Sequence, residues 1–167
     1  STKQIEDFIQ LKSDWIKKQR QKIKANQIHV VTNNSVWLFG QKKRRQDLPL
    51  DQPQNSKKLD QFLKKTARAY FEPKTHHLSQ KMGVQYNRLS LRQQKTRWGS
   101  CSSKNNLNFN WRLVHLKTNL IDYVIIHELA HLKEHNHSTQ FWQLVQQFDP
   151  EYEAHRAWLK KHHLVML

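Results

Sequence analysis

The chain has 167 residues, enough for one domain with a core, and carries 29 Lys and Arg against 13 Asp and Glu, a formal net charge of +16. Its mean hydropathy is −0.92, and no apolar run approaches the roughly 18 residues of a membrane-spanning helix, so no membrane segment is expected. Cys101 is the sole cysteine, which excludes an internal disulfide and a cysteine zinc ribbon. A single thiol fits a reducing, cytoplasmic setting, and no signal-peptide pattern opens the chain. So basic a chain favours anionic partners, including non-specific nucleic acid through its basic surface. A solvated lysine-rich face is the plainer account.

Ile5, Phe8, Ile9, Trp15, Ile16 and Ile23 form a helical stripe among Lys and Gln. Asp7 and Asp14 precede a crowd of Lys and Arg from Lys17 to Lys24, a gradient that suits the helix macrodipole. The segment reads as a helix docked on the domain, with a basic partner-binding helix as the other reading. Ile28–Val31 and Val36–Phe39, parted by Thr32-Asn33-Asn34-Ser35, read as a β-hairpin ended by Gly40. The run Lys42-Lys43-Arg44-Arg45 then reads as a solvated loop.

Residues 47–56 hold Pro49 and Pro53 and form a loop. Ser56 is placed to cap a helix carrying Leu59, Phe62, Leu63, Ala67 and Tyr70, which Pro73 breaks or kinks. A further helical piece through Leu78 and Met82 stops at Gly83, and His76 and His77 fall there as surface residues. This divides the chain into an N-terminal helix-and-hairpin segment, 1–55, packed on a domain of 56–167. Residues 84–91 are strand-like, and Leu107-Asn108-Phe109-Asn110-Trp111 alternates as a half-buried strand should. Asn119, with Asp122 three residues later, marks the start of an apolar helix. Asp149-Pro150 opens the last helix, through Tyr152, His155 and Leu159.

The apolar helix carries the chemistry. Ile121, Val124, Ile125 and Ile126 lead into His127-Glu128-Leu129-Ala130-His131, and His137 follows six residues later. Residues four apart share a helix face, so His127 and His131 can turn two imidazoles toward one metal ion. Glu128, one residue round, is placed to act on a water there as general base without ligating. A catalytic zinc takes three protein ligands. His137 is the nearest third, because Ser138 can cap a new helix and so fix a chain reversal; His135 is the runner-up. Arg97-Trp98-Gly99-Ser100 precedes the half-buried strand and can supply a sheet edge on which an extended peptide pairs its backbone. Tyr123, Tyr152 and Arg97 are the candidates for stabilising an oxyanion. Cys101 has no nearby base in sequence and is not read as a nucleophile.

The segments Arg97–Ser102, Leu107–Leu113, Ile121–Val124, His127–Leu132, Asn136–Ser138 and Phe141-Trp142 together resemble the YgjP-like metallopeptidase family, which is related to the WLM and SprT-like zincins. The resemblance is specific from about Lys81 onward. It implies an α+β fold: a compact zincin-like core with a small antiparallel or mixed sheet packed on the H-E-x-x-H helix, followed by C-terminal helices. It further implies Zn²⁺ held by His127, His131 and His137, Glu128 as catalytic base, and a protein or peptide substrate. Two other functions compete on the residues alone. One is a basic nucleic-acid-associated module with a structural metal; the other is a metal-dependent nucleotide phosphohydrolase, which would call for a carboxylate-rich Mg²⁺ site.

Overall fold

A long helix and a mixed sheet frame the apolar helix that carries His127 and His131. The computed structural model describes residues 2–94 and 96–165; the side chains of Ile23 and of residues 163–165 lie outside that description. Helix α1 (Thr2–Ala25) is followed by short strands β1 (Gln27–His29), β2 (Ser35–Leu38) and β3 (Gln41–Arg44), then by helix α2 (Ser56–Met82). Strands β4 (Arg88–Arg92), β5 (Gly99–Cys101) and β6 (Asn106–Asn110) come next. The chain finishes with helices α3 (Thr118–Ala130), α4 (Thr139–Phe148) and α5 (Tyr152–Lys161) and strand β7 (His163–Val165). The fold is α+β. No helix among the described residues is long and apolar enough to cross a membrane.

The main sheet has the order β4-β6-β5, with β4 parallel to β6 and β5 antiparallel to it. In β6, Leu107 and Phe109 are fully buried while Asn106 and Asn108 are only partly covered, the two-residue period of a strand with one face in a core. Helix α2 buries Leu59, Leu63, Ala67 and Phe71 at four-residue spacing, and Phe71 stacks on Phe109 at 5.1 Å between ring centroids. Helix α3 is apolar on nearly every side because it runs through the centre: Ile121, Val124, Ile125, Ile126 and Leu129 are all buried. β5 pairs on one side only, so its other edge is open beside α3.

Local choices differ from the sequence expectations in several places. Phe39 and Gly40 both take positive φ, 49° and 77°. Positive φ at both central residues is the pattern of a tight two-residue hairpin turn, so β2 turns back at once onto Gln41–Arg44; of the basic run expected as a loop, Lys42, Lys43 and Arg44 lie on an exposed strand and Arg45 is buried at the start of a 3-10 turn. The expected hairpin partner keeps one bridge, Val31 to Val36, while β1 pairs parallel with β7. Helix α2 runs unbroken through Pro73, which is exposed, because the buried stripe continues to Thr75, Ser79 and Met82 and packing offsets the one lost N–H bond. Its cap is Asn55 rather than Ser56, with the side chain accepting from the N–H groups of Lys57 and Lys58. Helix α3 begins at Thr118 rather than from an Asn119 cap. Asp122 is drawn instead to α2, where it accepts from the Tyr70 hydroxyl at 2.7 Å and pairs with Lys74 at 2.9 Å. Asp149 does not itself cap α5; its Oδ1 accepts from Glu151 N and its Oδ2 meets His155 Nδ1 at 2.7 Å.

Helix α1 departs most. A docked helix would bury its stripe, yet Ile5, Phe8, Ile9, Trp15 and Ile16 are all exposed, with Trp15 at 59%. The hairpin residues behave oppositely: Val30, Val31 and Val36 are buried in the common core.

One buried histidine links that hairpin to the centre. His115 is 2% exposed, and its Nδ1 bonds the Trp37 carbonyl at 2.7 Å while its Nε2 has no partner. Burial pushes its pKa down to about 4, from an ordinary value near 6.5. The folded form therefore resists a proton that the unfolded chain accepts, so this contribution to stability is full above about pH 6.5 and is lost as pH falls toward 4. His115→Gln keeps a side-chain amide for the Trp37 carbonyl and removes the titration. Urea unfolding across this range should show wild type losing stability faster than the variant, so that the gap between them narrows in acid. Parallel curves would place the acid sensitivity elsewhere.

Candidate active site

His127 lies in the last turn of α3, and His131 takes the αR conformation at its C-cap, so helical spacing holds between them to the end. The two rings are 5.0 Å apart and nearly perpendicular. The chain then turns through 131–136 and enters α4, where Ser138 Oγ accepts from Phe141 N at 3.2 Å. This capped reversal carries His137 back over α3, with its Nε2 3.1 Å from that of His127. One ligand atom from each of His127, His131 and His137 lies within 4.8 Å of the others. A tetrahedral zinc site places its ligand nitrogens about 3.3 Å apart, close to the His127–His137 spacing. His135 is exposed and outside the cluster, and no other group of three or more His, Cys, Asp and Glu among the described residues could hold a metal.

The chemistry of the three rings suits a cation. Burial, and then the neighbouring imidazoles, push the pKa of His127 down to about 3; His137 is lowered for the same reasons. Burial thus favours the neutral, basic form of His127 and His137, whose Nε2 atoms lie 3.1 Å apart, where one ring's N–H can bond to the other or a cation can take both lone pairs. His131 Nδ1 is 3.0 Å from the Glu134 carbonyl, which fixes its proton there and leaves Nε2 free. His127 Nδ1 is buried and has no partner among the described residues.

Glu128 is 6% exposed, and burial pushes its pKa up to about 8, against the charge of Arg97 and the backbone N–H of Cys101. Its position depends on a glycine. A Cβ at residue 99 would lie 2.6 Å from Glu128 Oε1 and 2.7 Å from its Cγ, so only a bare backbone lets α3 approach β5 this closely. Of the expected edge residues, Gly99 and Ser100 lie in β5, while Arg97 and Trp98 precede it and line the cleft beside Glu128. Burial and the charge of Glu128 both raise the Cys101 pKa, the reverse of what a nucleophilic thiol needs. Tyr123 lines the same cleft, 5.8 Å from the His127 ring, and burial raises its pKa to about 12. Tyr152 stacks on Trp142 instead, and His76 and His77 are exposed on α2.

Sequence reasoning passed over the supports. Phe141 is fully buried and touches all three imidazoles, at 5.0, 4.5 and 4.7 Å between centroids. Trp142 stacks on His137 at 5.4 Å, with the Arg156 guanidinium 4.4 Å above the indole. Asn110, 3% exposed, donates to the Gln94 and Arg97 carbonyls and accepts from Arg112 N, which holds the 94–97 segment at the cleft. Arg112, Arg156 and Lys160 also line the cleft, which encloses about 470 Å³. The available signals are the Phe141-Trp142 pair among the family-like segments and the four-residue spacing of Tyr152, Arg156 and Lys160, which puts the two cations on one face of α5 beside Leu159.

The sequence model of a family described as YgjP-like, metallopeptidase domain, matches residues 42–162. The crystal structure of the metallopeptidase zymogen of Pyrococcus abyssi abylysin is similar at 26% identity and a TM-score of 0.48, covering 56% of this chain and 98% of that one. That of the Methanocaldococcus jannaschii jannalysin zymogen is similar at 20% identity and a TM-score of 0.49, covering 54% and 93%. No curated protein matches the chain.

The histidine geometry yields a binding prediction. Titrated against a chromogenic chelator, the chain should take up one divalent ion. His131→Ala and His137→Ala should each weaken uptake by more than about 100-fold, while His135→Ala should leave it unchanged. Equal affinities for His137→Ala and wild type would remove His137 from the set.

Proposed function

Because the chain belongs to the YgjP-like metallopeptidase family, we infer that it hydrolyses peptide bonds at the three-histidine cluster, with Zn²⁺ on His127, His131 and His137 and Glu128 as general base. The family makes it a metal-dependent peptidase acting on protein or peptide. The zinc and the residue roles are our reading. The observation that carries it is a buried carboxylate held between three converging imidazoles and an open strand edge. Three imidazole nitrogen donors suit zinc, which in a catalytic setting keeps a fourth position for water.

When bound, zinc supplies a Lewis acid that polarises the scissile carbonyl and lowers the pKa of a water toward about 7. The remaining work falls to the chain. The edge of β5, from Gly99 to Cys101, offers backbone groups to an extended substrate and lays its scissile bond along α3. Glu128 takes a proton from the attacking water and returns it to the leaving amine. Burial raises its affinity for that proton, while Arg97 and the Cys101 N–H favour the ionised form that must accept it. The Glu134 carbonyl keeps His131 in the tautomer that presents Nε2, and the Trp142 face holds His137 over the cluster.

Two substitutions separate binding from chemistry. Glu128→Gln should keep its metal and fold while peptide hydrolysis falls by about 10² to 10⁴-fold; retained activity would dismiss Glu128 as the base. Gly99→Ala should leave metal content intact and lower kcat by about 100-fold, because the added methyl displaces the carboxylate. Unchanged kcat there would mean that the close approach of α3 and β5 is irrelevant to turnover.

A further inference from the structure

We propose that the cleft beside the histidine cluster selects peptides carrying an acidic side chain next to the scissile bond, and that Arg112, Arg156 and Lys160 are the selecting residues. The inference rests on the peptidase reading above and names its substrate class. The cleft encloses about 470 Å³, room for a few side chains, and it is electrostatically one-sided. Arg97, Arg112, Arg156 and Lys160 line it, and Glu128 is the single carboxylate among the lining residues. None of these four cations has an ion-pair partner among the described residues, although carboxylate pairs do form elsewhere on the chain, as at Lys74–Asp122 and Arg68–Glu72.

Arg97 is committed to Glu128, on which its charge acts. The other three meet no carboxylate among the described residues, although Arg112 and Arg156 lie over the rings of Trp111 and Trp142. Arg112 has its Nε buried with no hydrogen-bond partner, and such a desolvated donor gains most from an anion that meets it. Arg156 is held in place by the indole of Trp142 at 4.4 Å, which leaves the edge of its guanidinium, the fork that matches a carboxylate, free to bond. Lys160 lies one helical turn further along α5 and lines the same cleft. The substrate backbone is served by the β5 edge, so the cationic wall on α5 faces its side chains. A confined cleft next to one strand edge fits a peptide carboxylate better than a nucleic-acid backbone, which repeats its charge over a longer track.

The test separates recognition from hydrolysis. Zinc-loaded Glu128→Gln binds fluorescent peptides identical except for Glu, Gln or Lys beside the bond to be cut, and wild type is assayed for cleavage of the same set. The Glu peptide should bind about 10 to 100-fold tighter than the Gln peptide, with an advantage that shrinks on adding salt. Arg156→Gln and Lys160→Gln, both at exposed positions where folding is not at stake, should each reduce that ratio, and Lys160→Glu should turn the preference toward the Lys peptide. Equal binding of the Glu and Gln peptides overturns the inference whatever is cleaved. Tighter binding of a single-stranded oligonucleotide than of the Glu peptide, reduced by the same substitutions, overturns it in favour of nucleic acid. An acidic preference in binding with no cleavage by zinc-loaded wild type leaves the inference standing and removes the peptidase reading beneath it.

Discussion

Helix α3 lies against strand β5 so closely that the carboxylate of Glu128 occupies the space a side chain at position 99 would need. A buried carboxylate is costly unless something compensates it, and here the compensation comes from the strand itself, through the Cys101 N–H and the charge of Arg97. The sheet behind that strand is fixed in turn by β6, whose Leu107 and Phe109 are fully buried and tie it to α2 through Phe71. The placement of one acidic side chain therefore depends on the register of β5 on β6 and on the absence of a single Cβ. The histidine cluster and the β5 backbone are both brought close to the same carboxylate by this one contact.

The second constraint is the end of α3. An uninterrupted helix would carry residues after His131 away from His127; the break and the Ser138 cap return the chain instead. Phe141, one turn into α4, then packs against all three imidazoles. Trp142 holds His137 from the side and passes a contact on to Arg156 of α5. The cluster is thus supported by packing from α4 and α5, and among the described residues only His131 has a hydrogen-bonded partner for its second nitrogen. Placement by aromatic packing costs little flexibility in the residues it holds, since Phe and Trp have few rotatable bonds.

Charge is arranged on two scales. The surplus of 16 positive charges spreads over exposed elements such as α1 and β3, where solvent screens it. A small part converges on the cleft, where apolar walls and the nearby core raise its effect on any anion that enters. Net charge alone, which favours anionic partners in general, does not distinguish these two scales.

The sequence by itself determined the elements whose signals are short-range. The His127–His131 pair, the Ser138 cap, the glycine stop at Gly83 and the alternation of Leu107 to Phe109 each depend on residues within a turn or two, and each is present, although Asn110 and Trp111 break the alternation by both being buried. The family was also legible, since its motifs are contiguous runs that survive without the fold. Tertiary structure decided everything that depends on distance between elements. Pro73 is tolerated because buried residues continue on both sides of it, Asp122 leaves the helix start for Tyr70 and Lys74, and the stripe of α1 finds no surface to cover. Periodicity reports that a face is apolar and says nothing of what will meet it. The same holds at the site: Gly99, Phe141, Trp142 and Arg156 acquire their roles from neighbours many residues away in the chain. Only the packed fold sets the few ångströms between them.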